Sequence, residues 1–429
     1  MGLWAAVSVG VGGMIGAGIF SVLGVAAETA GNAVCLAFII AGGVALFSTY
    51  SYAKLGARFP SAGGPVEFLV RGFGDGVLSG GFNLLLWLGY VFALSLYARA
   101  FGSYAATFLG PGASGLWVNA FGTGVIVFFT LLNFAGARVV GKSELFIVGT
   151  KVLILLLFAG IGIFSMKREL LAASRWPGPA NVLYAAAIVF LAYEGFGLVT
   201  NAAGDMRDPR KTLPRALYLS VLITAFVYVA VSLTVVGNLP IARIVQARDY
   251  ALAEAARPLL GVLGFRLVAV AALFSTASAI NATLYGGANA SYQIARDGQL
   301  PTFFERRVWA SGVEGLVITA ALVVVLSNLL KLDGIAMLGS AAFLLVYGAV
   351  SAAHLRLWRE TGAHRVLIWC AIAGCSAAFV ILVYYEARHE PATLAILAAV
   401  VAFSFLFEWV FRVRTRRTLA TRDAGQRSP

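Results

Sequence analysis

Charge is scarce in this chain. Asp, Glu, Lys and Arg make up only 12% of its 429 residues, against roughly a quarter in ordinary soluble domains, which excludes a soluble globular protein. Cysteine and histidine are scarcer still, with three of each. Cys35, Cys370 and Cys375 lie inside apolar stretches, without the spacing of a metal site, and read as small core hydrophobes. His354, His364 and His389 fall near the ends of such stretches and form no ligand cluster, so no metal is expected. No spacing brings acids, histidines and nucleophiles to one cavity, as an enzyme needs. Rings of pore charge and repeated filter motifs, the marks of a channel, are missing as well. The chain does not open on a charged region followed by a small-residue cleavage site, so its first apolar segment is expected to be retained.

What is abundant is hydrocarbon. Apolar residues make up 60% of the chain, and they gather in stretches of about 20, the length that crosses a bilayer as a helix. Twelve such spans are expected, at roughly 3–28, 32–57, 77–109, 117–135, 143–166, 180–204, 214–238, 263–294, 313–331, 334–357, 366–386 and 391–412. The 48 glycines suit closely packed membrane helices and also helices that are broken on purpose. The net charge of +13 suggests nucleic acid at first, but the basic residues sit between spans and the aromatics inside them, so no nucleic-acid partner is expected. Membrane topology explains the charge better. The even-numbered connections, with Lys54, Arg58, Arg71, Arg138, Lys142, Arg207–Arg215, Arg296, Arg306 and the tail from Arg412, carry about twice the Lys and Arg of the opposite side. That side, with both termini, is expected to be cytoplasmic and the membrane to be the plasma membrane. The basic tail 413–429 then lies near anionic lipid.

Lys151 stands within an apolar run, in the sequence TKVLILLLFAGIGIF. An ammonium at such a depth costs about 2.5–3.5 kcal/mol on insertion scales. Burial favours the neutral form of an amine, so this residue is a candidate for taking up and releasing a proton. Its distance from the span end, about 10 Å at 1.5 Å per residue, also allows it to snorkel to the interface. Span 1 holds Gly10, Gly12, Gly13, Gly16 and Gly18, five glycines in nine residues. Two readings fit: close packing of the GxxxG kind, as at Gly12/Gly16, or an unwound segment lining an enclosed cavity. Span 6 carries a second interruption, Phe190-Leu-Ala-Tyr-Glu194-Gly-Phe-Gly197. A pair of glycine-interrupted spans at corresponding positions of two halves points to a transporter binding site, and this favours unwinding. Free N–H groups at the start of the half-helix would seat a carboxylate and free carbonyls an ammonium, together the head group of an amino acid. Two other segments stand apart: 60–65 with the short stretch Val66–Phe73, and the outer loop Pro240–Pro258, expected to hold one or two helices and to act as a lid.

These residues carry a family resemblance. Gly13-Met-Ile-Gly-Ala-Gly-Ile-Phe20, Pro60-Ser-Ala-Gly-Gly64, Tyr193 to Arg215 and Ala295-Arg-Asp-Gly-Gln-Leu-Pro301 resemble, in order and spacing over roughly residues 1–360, the amino-acid transporters of the amino acid–polyamine–organocation (APC) superfamily. Gly197 and Lys151 make the nearest likeness its archaeal proton-coupled, broad-specificity members. The resemblance implies an all-α integral membrane fold of two inverted five-helix repeats with discontinuous spans 1 and 6, plus two extra helices. The divisions are 1–166, 167–357 with the outer lid near 240–260, 358–412, and the tail 413–429. It implies free amino acids as substrates, the lipid bilayer as surroundings, no cofactor, and protons rather than sodium as the coupling ion. Gly16, Ala17 and Gly18 would offer N–H groups to the substrate carboxylate, Ile19 would also line the substrate site, and the carbonyls of Met14, Leu191 and Glu194 would receive the amine. Phe190, Tyr193 and Phe196 would wall or gate the side chain. Lys151 would stand where sodium-coupled relatives hold their ion, meeting span 1 near Gly13 and span 8 at Ser278, with Ser275 and Thr276 nearby. Glu194 departs from the family, where an apolar residue is usual: it selects cationic substrates, serves as a second proton site, or points away into a polar crevice. The expected function is proton-coupled import of amino acids by alternating access with Lys151 as the switch. Alternatives are an exchanger or a sodium symporter on the same fold and, outside the carriers, a membrane amino-acid sensor.

Overall fold

The computed structural model describes residues 1–61, 63–110, 115–135, 144–305, 307–309 and 312–415. Arg138, Lys142, Arg306 and most of the basic tail, which entered the topology argument, lie outside the described residues, as does the side chain of Ala17. Ten helical stretches are long and apolar enough to cross a bilayer by length and composition. The first of them, Leu3–Arg58, is two helices, Leu3–Ala30 (span 1) and Val34–Arg58 (span 2), joined by the 3-10 turn Gly31–Ala33. Glu314–Leu329 (span 9) is a shorter apolar helix. The others are Val77–Ala106 (span 3), Gly115–Ala135 (span 4), Glu144–Phe164 (span 5), the interrupted Pro179–Asn201 (span 6) and Pro209–Asn238 (span 7). Span 8 follows within Ala251–Arg296, and then come Leu332–Arg356 (span 10), Arg365–His389 (span 11) and Pro391–Thr415 (span 12). The twelve expected spans are all represented, in an all-helical membrane architecture; a short antiparallel strand pair, Arg307–Trp309 with Gly312–Val313, precedes span 9.

The interior is built by spans 1, 3, 6 and 10, whose residues are largely hidden. Spans 4, 5, 11 and 12 present Leu, Ile, Phe and Val outward, as helices facing lipid must. The long helix Ala251–Arg296 contains a break at Leu260–Gly261, where Gly261 adopts φ +61. The break separates the end of the outer loop from span 8. The outer loop itself consists of the helix Ile241–Gln246, the 3-10 turn Arg248–Tyr250 and the helical segment up to that break, in line with the expected one or two helices.

Span 1 corrects an expectation. Its glycine-rich centre runs as unbroken helix from Leu3 to Ala30. The glycines serve contact instead. A Cβ on Gly16 would collide with the Cβ of Ala279 in span 8, one on Gly10 would lie 2.6 Å from Ser220 Oγ in span 7, and one on Gly24 would strike the carbonyl of Arg248 in the outer loop. Small residues let helix backbones approach closely in a membrane, and here that demand accounts for the glycine run without any unwinding.

On the side expected to face the cytoplasm, the helix Pro65–Phe73 packs on span 10, with Gly72 against Ala353 and Arg356 donating to the Gly72 carbonyl at 3.3 Å. Asp297 lies nearby, just beyond the end of span 8, and accepts a hydrogen bond from Gln293 Nε2 at 2.9 Å. Burial, with the Glu67 carboxylate across from it, pushes Asp297 from 3.8 up to about 6, against the pull of Gln293 and Arg296. A folded-state value above the unfolded one means that folding prefers the protonated acid. The associated stabilisation is complete below about pH 4 and is lost as pH rises through about 6. Asp297→Asn is therefore expected to raise the thermal midpoint of the purified protein by a few degrees at pH 7.5. At pH 4 it should match the wild type, which thermal unfolding at the two pH values will check.

Candidate functional site

Span 6 breaks where its sequence suggested. Regular helix ends at Val189, Phe190–Tyr193 form a 3-10 turn, Glu194 and Gly195 make a turn, and helix resumes over Phe196–Asn201. The bonds through the break are of the tight i+3 kind: Glu194 N–H to Leu191 carbonyl at 3.2 Å, Gly197 N–H to Glu194 carbonyl at 3.0 Å, and Leu198 N–H to Gly195 carbonyl at 3.2 Å. The break leans on the middle of span 1. A Cβ on Gly195 would lie 2.5 Å from the Met14 nitrogen and 2.6 Å from the Gly13 carbonyl carbon, so only glycine allows the two backbones to meet there.

Opposite that contact, three spans donate to carbonyls of span 1 within one helical turn. Lys151 Nζ of span 5, 2% exposed, donates to the Gly12 carbonyl at 3.0 Å. Ser275 Oγ of span 8 donates to the Ile15 carbonyl at 2.6 Å. The Tyr228 hydroxyl of span 7 reaches both the Met14 carbonyl and, at 3.0 Å, the Ala192 carbonyl in the span 6 break. Lys151 thus does not snorkel; it points inward. The span 8 hydroxyl that donates to span 1 is that of Ser275, whereas Ser278 is only partly buried and Thr276 bonds back to Ala272 in its own helix at 2.7 Å.

The other expected site residues gather around the same centre. Met14, Ile19, Phe190, Leu191, Tyr193, Glu194 and Phe196 are all at most 1% exposed. Gly18 is seated against the Tyr228 hydroxyl and Ala192, and Gly16 against Ala279. Phe196 lies 5.2 Å from Tyr52 and 4.9 Å from Tyr347 between ring centroids and so faces spans 2 and 10, while Phe190 lies 5.8 Å from Tyr347 and faces span 10. Tyr193 instead turns to span 2, donating to the Phe38 carbonyl at 2.9 Å. The carbonyls assigned to an amine are engaged. Met14 accepts from Tyr228, Leu191 from the Glu194 N–H, and Glu194 from both the Gly197 N–H and the Tyr347 hydroxyl, the last at 2.6 Å. A carbonyl has two lone pairs, so Leu191 keeps one for a further donor, whereas the Glu194 carbonyl has both in use.

Access is closed on both sides. On the side expected to face outward, Arg248 of the 240–258 loop holds Glu28 of span 1 at 3.0 Å and approaches Asp333 of span 10 at 3.8 Å, while Ser103 of span 3 donates to Asp249 at 3.4 Å. On the opposite side, Gly64 packs directly on Thr200 and Asn201 at the end of span 6, and Gly63 on Gln293 of span 8. Sequence reasoning missed Tyr97, Tyr228 and Tyr347. Their signal was position: each sits deep within a span, where an interfacial tyrosine has no reason to be. Of the span asparagines, Asn133 and Asn281 join spans 4 and 8 at 3.0 Å, as expected of polar residues between membrane helices.

Comparison with known proteins agrees with this arrangement. The model of the amino acid permease family matches residues 1–407. An uncharacterized protein of Methanocaldococcus jannaschii is 40% identical over 98% of this chain and 97% of its own length. The inner membrane transport protein YbaT of Escherichia coli is 37% identical over 83% of each chain, and the branched-chain amino acid permease BcaP of Bacillus subtilis is 26% identical over 68% of this chain and 66% of its own. Together with the twelve spans found among the described residues, the family match and these relatives establish that the chain belongs to the amino acid permease family of multi-pass membrane transporters.

Proposed function

We propose that this permease imports amino acids together with protons by alternating access, and that Lys151 is the protonation switch. Amino acids as cargo follow from the family and from relatives whose names include a branched-chain amino acid permease. The observation that carries the coupling is the buried Lys151 amine donating to the Gly12 carbonyl, next in the chain to Gly13 and Met14, where Gly195 meets span 1. As an ammonium it supplies a charge-assisted bond, roughly twice as strong as a neutral one, that ties span 5 to span 1. As a neutral amine it holds span 1 more weakly, and spans 1 and 6 are freer to shift against spans 3 and 8. Proton binding from outside then favours the closed, substrate-holding site, and proton loss to the cytoplasm favours opening inward. Coupling is limited to the difference in proton affinity between the two states. The substrate carboxylate is assigned to the N–H groups of Gly16, Ala17 and Gly18, with Ile19 beside them, which requires the continuous helix of span 1 to open there when substrate binds. Its amine is assigned to the Leu191 carbonyl and to the carbonyl that Tyr228 gives up at Met14.

Because these carbonyls are engaged in the closed state, substrate entry requires Tyr228 to swing away or the span 6 break to move off span 1. The plasma membrane, with both termini cytoplasmic, is the setting proposed for the cycle. Uptake of labelled amino acids into proteoliposomes under imposed gradients tests the reading. A pH gradient, acid outside, is expected to drive accumulation with no sodium present. Uptake that needs sodium and ignores pH, or that needs internal amino acid, would overturn it in favour of sodium symport or exchange.

A further inference from the structure

The carboxyl group of Glu194 is 1% exposed and sits in the span 6 break, among aromatic rings in the interior of the bundle. One oxygen, Oε1, accepts a hydrogen bond from the Tyr97 hydroxyl of span 3 at 2.9 Å. The other, Oε2, is buried with no hydrogen-bond partner. Among the described residues no lysine, arginine or histidine forms an ion pair with it. A second orphan lies in the same cluster. The Tyr52 hydroxyl is also buried without a partner, and its ring is 5.0 Å from that of Tyr347, whose hydroxyl holds the Glu194 carbonyl. A polar crevice, one of the three readings left open by the sequence, does not describe these surroundings.

A buried carboxylate without a cation is costly, and proteins usually give such groups a partner. A carboxylate oxygen without a partner in a cluster of tyrosine and phenylalanine side chains suits an alkylammonium or guanidinium, which the charge attracts and which the rings can attract as well. The position matters too. Glu194 is one residue from Gly195, the point of contact with the span 1 backbone to which the amino-acid head group is assigned, and its side chain reaches toward span 3. A substrate held by its head group at span 1 would direct its side chain toward this acid.

We propose that Glu194 is a specificity-determining residue: its carboxylate receives the positively charged side chain of the substrate, so this permease favours amino acids with a basic side chain. The inference rests on the amino-acid reading above and deepens it. Tyr97 orients the carboxyl through Oε1 and leaves Oε2 for the incoming cation. Tyr52 supplies a hydroxyl to the same group or to the substrate's remaining N–H donors.

The test uses the purified full-length protein, with thermal stabilisation by lysine, ornithine, arginine, leucine and norleucine measured as concentration series, and competition against uptake of labelled leucine. Norleucine has the carbon chain of lysine without the ammonium. Lysine is expected to act at concentrations about tenfold or more below norleucine, the scale of one charge-assisted hydrogen bond. Glu194→Gln, which keeps size and loses charge, should weaken lysine more than leucine and so abolish the difference between lysine and norleucine. If lysine and norleucine act alike on the wild type, or if Glu194→Gln weakens lysine and leucine equally, the proposal is overturned and the amino-acid reading stands. If no amino acid acts on the wild type, both fall. The comparison of lysine with norleucine needs no variant, so it decides the matter even if Glu194→Gln fails to fold.

Discussion

Lys151→Ala is expected to abolish accumulation of amino acids driven by a pH gradient, lowering the initial rate on the order of ten- to a hundredfold. That is the span of a hydrogen bond to a charged group, about 1.5–3 kcal/mol. The loss should be specific to the driving force. The methyl side chain of alanine cannot reach the Gly12 carbonyl, so span 1 loses its tie to span 5, while Ser275 and Tyr228 still hold Ile15 and Met14. Downhill exchange of amino acid, which needs the site and not the gradient, should therefore survive in the variant and lose its response to external pH. Lys151→Arg keeps a charge that does not leave at physiological pH, and is expected to bind substrate but to fail in net uptake. An alanine variant that remained fully proton-driven would remove Lys151 from the mechanism even if coupling itself held.

The second large effect is expected at Gly195. Its missing Cβ is the space in which span 6 meets the Met14 nitrogen and Gly13, and both neighbours are backbone, which cannot rotate out of the way. Gly195→Ala forces the break away from span 1. Overpacking of this kind costs about 1–3 kcal/mol and sometimes more, and it acts at the two segments that hold the head group. Transport should fall more than about tenfold, with a matching loss of substrate-dependent stabilisation. Gly43 of span 2 provides the contrast, because a Cβ there meets nothing within 4 Å. Gly43→Ala is expected to leave transport unchanged and to stabilise its helix slightly, since alanine is the better helix former. Equal behaviour of the two variants in an uptake assay would contradict the close contact as the functional constraint.

Much of this was legible in the sequence for definite reasons. The spans follow from hydrocarbon length, and the break in span 6 from an acid and two glycines interrupting an apolar run. Lys151 stood out because an ammonium in that setting has a cost. Span 1 was harder. A cluster of glycines reports that side chains are unwelcome, and both unwinding and close packing produce that demand. Only the neighbours, Ala279, Ser220, Tyr228 and Arg248, decide between them, and they come from segments far away in the chain. The choice between Ser275 and Ser278 had the same limit. Three residues differ by only about 60° around a helix, and it is the seating of Gly16 on Ala279 that turns Ser275 toward Ile15. The tyrosines that clamp the centre were hidden for another reason. Tyrosine is common at membrane interfaces, so its depth has to be known before it draws notice. Glu194 was visible as an oddity, but its meaning depends on Tyr97, Tyr347 and the partnerless Oε2, which only the packed bundle brings together.

The central claim is the proposal that protons enter together with the amino acid and that Lys151 couples the two. Proteoliposomes enclosing a pH-sensitive dye, with no sodium and no internal substrate, measure it directly. Addition of external amino acid is expected to acidify the lumen at a rate that tracks uptake of the labelled substrate, and Lys151→Ala should leave the lumen unchanged. Uptake without acidification in the wild-type protein would contradict the account.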